Sequence, residues 1–183
     1  MTSAAEIVGF WKALGPDGWF TKDDAVDAEI RQRFEALHMA ASRRELDGWL
    51  ESSEGALALL LLLDQFPRNM YRGSAHSYAT DGLARWIAEQ ALAKGFEQEA
   101  EPEMRPFFHL PFEHSEDMTD QARCVSLSTR HQEQTGDAEF LEYAILHRDI
   151  IARFGRFPHR NAALGRETTP EEQAYLDEDG FKG

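Results

Sequence analysis

Apolar residues recur at spacings of three and four along most of the chain, the signature of helices that bury one face. Ile7, Phe10, Trp11 and Leu14 form the first such stripe, and Ser3 with Glu6 stands before it in capping-box register. Gly15-Pro16-Asp17-Gly18 breaks the pattern. Thr21, Asp23 and Asp24 suit a second helix start, with Val26, Ile30, Phe34 and Leu37 as its stripe. Leu46, Trp49 and Leu50 mark a short third segment. Ser53 opens a fourth helix that is apolar nearly all round from Leu57 to Leu63; it must be central, because none of its faces suits water. Phe66-Pro67 is expected to end it.

A fifth helix is expected from about Ala75 to Lys94, with Tyr78, Trp86 and Ile87 inward and Gly95 as its stop. Residues 97–103 are acidic and precede Pro106, so they read as a loop, followed by the apolar anchor Phe107, Phe108, Leu110 and Phe112. Ser115, with Glu116 and Asp117 behind it, is expected to cap the next helix. Asp137 opens another, whose inward face is Phe140, Ala144, His147, Ile151 and Phe154 and whose stop is Gly155. Thr169-Pro170-Glu171-Glu172 places a cap, an N1 proline and an N3 carboxylate at the start of a last short helix. No useful strand-like alternation interrupts this series. The pattern predicts an all-α fold of seven to nine helices, stacked as antiparallel hairpins, in a single domain over residues 1–183. No strict period of about 34 residues supports a regular repeat array.

Composition narrows the function. Twelve Phe and four Trp supply a core, and a formal net charge of −14 argues against nucleic-acid binding and against adsorption to an anionic membrane. The most apolar run, Ala56–Leu63, falls far short of the roughly 20 residues that cross a bilayer. The start of the chain lacks a basic region followed by an apolar core, so the expected location is the cytoplasm. Cys124 is alone, which excludes an internal disulfide and CxxC chemistry. Phosphate-loop, dinucleotide-glycine, GxSxG and HExxH patterns are absent. Histidines with Glu113 or Asp117 could supply metal ligands, but Glu35-Ala36-Leu37-His38 gives one ExxH where a di-iron bundle needs two. Neither a metal nor a cofactor is expected.

An internal echo stands out. Gln65-Phe66-Pro67-Arg68-Asn69 and Arg156-Phe157-Pro158-His159-Arg160-Asn161 each follow an apolar helix and set an Arg-Asn pair beyond a Phe-Pro break. Either these are two similar helix exits, or they are paired corners presenting arginines to one cleft. Arg148, Arg153, Arg156, Arg160 and Arg166 crowd residues 148–166, which hold one acid, Asp149. Guanidinium forks bind carboxylate and phosphate in bidentate fashion. Asp64 with Arg68, Asp81 with Arg85 and Asp149 with Arg153 are four apart, where helix side chains pair without a ligand. Arg156, Arg160 and Arg166 lack such local partners and must meet distant carboxylates, helix-end carbonyls, water or a ligand.

The motifs Leu63-Asp64-Gln65-Phe66-Pro67-Arg68-Asn69, Arg72-Gly73, Leu110-Pro111-Phe112 with His114-Ser115-Glu116-Asp117, and Phe154 through Asn161 into Leu164-Gly165-Arg166 occur in order along most of the chain. In these motifs the sequence resembles the bacterial family called domain of unknown function 924. The resemblance implies an all-helical fold of the tetratricopeptide-like superfamily and carries over no activity, substrate or catalytic residues.

The candidate ligand-binding residues are therefore Arg68, Asn69, Arg72, His114, His147, Arg156, His159, Arg160, Asn161 and Arg166, with His114 and His159 as candidates for proton transfer. His147 lies on the inward stripe of its helix, where a core histidine is the plainer role. The leading expectation is a binding domain for a small anion or an acidic peptide end. The alternatives are a hydrolase or transferase acting on a phosphorylated or carboxylated metabolite, and a structural or oligomerising domain whose motif residues brace helix ends.

Overall fold

A computed structural model describes residues 3–178 and 180–181. Among the described residues the regular structure is all helical. None of the helices is long and apolar enough to cross a membrane. The chain divides into two compact units. One runs to Arg72 and resumes over His76–Pro111; the other comprises Gly73–Ala75 and the chain from Phe112 onward.

In the first unit, α1 (Ala4–Trp19) packs on the central α3 (Ser53–Leu60), while α2 (Asp24–Ser42) packs on the segment that continues α3. Ser3 and Glu6 complete the expected capping box at α1. The Gly15-Pro16 break is a kink within α1 rather than its end, because Gly15 takes a left-handed φ of 67° and the helix resumes to Trp19. A short 3-10 turn over Asp47–Glu51 leads into α3, which is buried all round as its composition requires.

The expected stop at Phe66-Pro67 is not a stop. α3 widens into a π-helical turn at Leu61–Gln65 and continues as α4 (Phe66–Met70). Pro67 has no N–H to give to the carbonyls behind it. Side chains supply the missing donors: His38 Nδ1 lies 2.8 Å from the Leu62 carbonyl, and Thr80 Oγ1 donates to that of Leu63 at 2.5 Å. Phe66 anchors the core against Trp11 and Phe34, at ring-centroid distances of 5.6 and 5.1 Å.

The expected fifth helix is split into a 3-10 turn at Ala75–Tyr78 and α5 (Asp81–Ala93). Trp86, expected inward, is 37% exposed, with the Arg44 guanidinium 4.6 Å from its ring centroid. The acidic stretch is also partly helical: α6 (Phe96–Glu99) and a 3-10 segment over Pro102–Phe108 lead to α7 (Leu110–Glu113).

The second unit is built on α8 (Met118–Thr135) and α9 (Glu139–Phe154), joined by a short turn at left-handed Gly136 and packed along their lengths, so they run antiparallel. Asp117, two residues after the expected Ser115, is the cap of α8: its carboxylate accepts the Thr119 and Asp120 amides, while Ser115 Oγ accepts the amide of Asp117. A 3-10 turn at Pro158–Arg160, α10 (Asn161–Leu164) and α11 (Pro170–Asp177) complete the unit. Thr169 and Glu172 form the expected capping box. Ile150, Ile151 and Phe157 are the buried centre, with Phe154, Tyr175 and Phe181 packed on it.

Candidate functional site

The first Phe-Pro corner lies in the first unit, and its cations are engaged by protein oxygens. Arg68 forks onto Asp81 at 2.9 and 3.0 Å, donates to the Asp64 carbonyl at 2.7 Å, and lies 3.3 Å from the Asp64 carboxylate. Burial alone would lower the Arg68 pKa, but Asp64 and Asp81 outweigh it and push the pKa up. The buried Asp64 carboxylate also accepts from Gln65 Nε2. Asn69 and Arg72 share one carboxylate, Asp27, which accepts from Asn69 at 2.8 Å and from the Arg72 fork at 2.5 and 3.1 Å.

The second corner, in the second unit, repeats this device. Glu172 accepts both nitrogens of the Arg156 fork at 2.6 and 2.8 Å and also the Asn161 amide at 3.2 Å. Glu116 receives the Arg166 fork at 2.8 and 3.0 Å and the Phe157 backbone N–H at 2.8 Å. Arg166 further donates to Asn161 Oδ1 and to the Phe157 carbonyl. In each corner one carboxylate thus gathers the echoed asparagine and an arginine, but the arginines are Arg72 and Arg156, not the echoed Arg68 and Arg160. The local pairing expected for Asp149 is replaced: Arg148 binds Asp149 at 2.7 Å, and Arg153 reaches Glu171 at 3.2 Å.

These contacts set the acidity of the carboxylates. The Arg156 hydrogen bond, against opposition from burial, holds Glu172 down at about 2, below its ordinary 4.5. A depressed carboxylate stabilises the fold fully above its unfolded value and loses that contribution as pH falls toward the folded one. Glu172→Gln is therefore expected to be less stable than the parent at pH 7, with the gap closing between pH 4.5 and 2. Urea unfolding of both proteins across that range measures it; a constant gap would contradict the assignment. For Glu116, burial raises the pKa, but the Arg166 bonds and the Phe157 amide outweigh burial and lower it.

A different group remains in the second unit. His147, at 5.5 Å, and His159, at 5.6 Å between ring centroids, flank Phe157, and the Arg160 guanidinium stands 4.4 Å from the same ring. Phe181 packs against both imidazoles, at 4.6 and 5.3 Å, and the His114 ring lies 6.4 Å from that of His147. His147 Nδ1 is 2.8 Å from the Tyr143 carbonyl, which only accepts, so the proton sits on Nδ1 and the basic lone pair of the neutral ring is on Nε2. Nδ1 is also 3.6 Å from the buried carboxylate of Glu113. A carbonyl and a carboxylate beside Nδ1 suit the ring to hold and pass a proton through Nε2. Cys124 Sγ lies 3.9 Å from Glu113; burial, reinforced by that carboxylate, pushes the thiol pKa up, so it is unsuited to act as a nucleophile at neutral pH.

The structure thus brings His114, His147, His159 and Arg160 together, and places Arg156, Asn161 and Arg166 in the adjoining brace of the same unit. Arg68, Asn69 and Arg72 belong to the other unit. Sequence reasoning missed Glu113, Glu116 and Glu172 as partners. It also missed the buried stripe Gln121, Cys124, Ser128 and His131 on α8, whose spacing of three, four and three was visible. The ExxH pair was noticed, but its neighbours were not: His38 Nε2 lies 3.1 Å from His76 Nε2, and Glu35 accepts the Tyr71 hydroxyl at 2.8 Å. Among the described residues no group of three or more His, Cys, Asp or Glu side chains is arranged to hold a metal ion.

Fold and site together define an all-α protein with two carboxylate-braced Phe-Pro corners and a histidine cluster beside the second. Residues 7–180 match the family described as bacterial protein of unknown function, DUF924, and the chain belongs to that family. It is similar to a solved structure of a protein of unknown function from Agrobacterium tumefaciens, at 55% identity and a TM-score of 0.90, over 96% of this chain and 97% of that one. Comparison with curated proteins finds no match.

Proposed function

We propose that the second unit is a binding module for a small anionic group, a carboxylate or a phosphate, held beside Phe157 by His114, His147, His159 and Arg160. The carrying observation is that His147 from α9 and His159 and Arg160 from the Pro158–Arg160 turn converge on Phe157, with His114 beside His147, in a chain that is otherwise strongly acidic. Helical-hairpin stacks of the tetratricopeptide-like kind offer faces for such sites, an argument by analogy of fold. Arg68, Arg72, Arg156 and Arg166 have their forks on carboxylates. They brace helix exits, and to that extent the structural alternative accounts for them. The enzymatic alternative draws its support from His147, whose Nδ1 is fixed while Nε2 stays basic.

Binding of inorganic phosphate, followed by calorimetry and by histidine NMR signals, tests the proposal. Affinity is expected to fall as pH rises from 6 to 8 and the imidazolium charge is lost. His159→Ala is expected to weaken binding about tenfold, the effect of losing one charge-assisted hydrogen bond, whereas Arg148→Ala, at a half-buried arginine paired with Asp149, leaves it unchanged. No saturation at millimolar phosphate, or equal affinity in His159→Ala, would sink it.

A further inference from the structure

We propose that His38 and His76, in the first unit, form a proton-sensitive latch that holds the His76–Tyr78 part of the turn against α2 and releases it on acidification. This inference is independent of the anion site. His38 has no exposed surface, and its Nδ1 faces the Leu62 carbonyl at 2.8 Å. A carbonyl accepts only, so Nδ1 carries a proton and Nε2 of the neutral ring is a bare lone pair. His76 Nε2, 3.1 Å away, must then be the donor. The bond survives protonation of His76, which still donates through Nε2. It cannot survive protonation of His38 once His76 is also charged, which sets N–H against N–H and cation against cation at that distance.

Every element around the pair bears on this balance. On α2, Glu35 is the anion that faces the pair, and the Tyr71 hydroxyl donates to it; Arg31 lies 5.2 Å from the Tyr71 ring centroid, and Asp27 is engaged by Arg72. The π-helical turn contributes the Leu62 carbonyl, with Asp64 beyond it beside Arg68. On the connecting segment, Tyr71 stacks on His76 at 3.9 Å and stays neutral, its pKa raised by burial and Glu35 to about 12; Tyr78 lies under Arg68. For His38, burial lowers the pKa and a charged His76 lowers it further, while the Leu62 carbonyl and Glu35 oppose them; the net shift is downward from 6.5. The closed form thus binds a proton less readily than the open form. The latch is fully closed above 6.5 and weakens as pH falls below it.

Where the open form holds one more proton, the closed-to-open ratio drops tenfold per pH unit. Amide exchange of the full chain, corrected for intrinsic rates, reads this at Ala79, whose N–H donates to the His76 carbonyl. Protection there is expected to fall about tenfold per pH unit below pH 6.5, while the Ile87 amide in α5 keeps its protection. In His76→Gln the dependence should weaken to the part that burial of His38 alone supplies, since a side-chain amide can donate to His38 or, turned over, accept from it, and carries no charge. Constant protection at Ala79, parallel loss at Ile87, or an unchanged pH dependence in His76→Gln would each overturn the latch. Imidazole NMR titration of the unmodified protein stands as a second measurement. Two separated steps are expected, the lower coinciding with loss of protection at Ala79; simultaneous titration of both rings near 6.5 would refute the coupling.

Discussion

Arg68→Ala is expected to destabilise the protein by about 3–5 kcal/mol, the range for removing one partner of a buried ion pair. The cost arises mainly from what is left behind. Asp64 has a side chain only 2% exposed and is set in the π-helical turn, with Arg68 as its cationic neighbour. Asp81 loses both arms of its fork, and the Asp64 carbonyl loses a donor. Lysine in this place would restore one charge but could not span both oxygens of Asp81 while also reaching the carbonyl. For a chain of this size the melting midpoint should fall by roughly 2–4 °C per kcal/mol. Urea unfolding of Arg68→Ala and of the double variant Arg68→Leu/Asp64→Leu distinguishes the two contributions. The double variant is expected to recover part of the loss, because no stranded carboxylate remains at 64. A loss under about 1 kcal/mol in Arg68→Ala would show that Asp64 gives up its charge or gains water when left alone.

Gly55→Ala should be the next most damaging change, at about 3 kcal/mol, the upper end of overpacking costs. An added methyl would lie 2.1 Å from the Trp49 carbonyl oxygen and 2.9 Å from its carbon. Those are backbone atoms of the Asp47–Glu51 turn, so no side-chain rotation relieves the clash. The gain in helix propensity from Gly to Ala, about 1 kcal/mol, opposes the loss without cancelling it. Gly9→Ala, on α1 with open space around the added carbon, is the matched control and should be neutral or mildly stabilising. Equal stability for Gly55→Ala and Gly9→Ala would mean that the turn moves aside freely.

Legibility of the chain followed the range of each interaction. The stripes of α1, α2 and α9, the buried leucine helix and the capping boxes at Ser3 and Thr169 depend on residues within a turn or two, and the sequence displayed them. Asp117 displaced Ser115 as a cap because both residue types cap well and stand two apart. Trp86 was misplaced because periodicity assigns a face but does not show that Arg44 would lie over the ring. The carboxylate partners were out of reach: Asp27 is 45 residues from Arg72, and Glu116 is 50 from Arg166. In a chain with 33 acidic residues, no local rule selects which carboxylate a given arginine will meet. His114, His147 and His159 stand out as single candidates in the sequence, but nothing local shows that the Phe157 ring gathers His147, His159 and Arg160.

Pro67, His38 and Thr80 are physically interdependent through the Leu62 and Leu63 carbonyls. A residue with an amide hydrogen in place of the proline would compete for the oxygens now served by His38 and Thr80, and would leave those two side chains with surplus donors in a dry interior. Substitution at any one of the three therefore alters which residues are tolerated at the other two. Relatives that lack the proline should show compensating changes at both sites, a pattern of linked inheritance rather than independent drift.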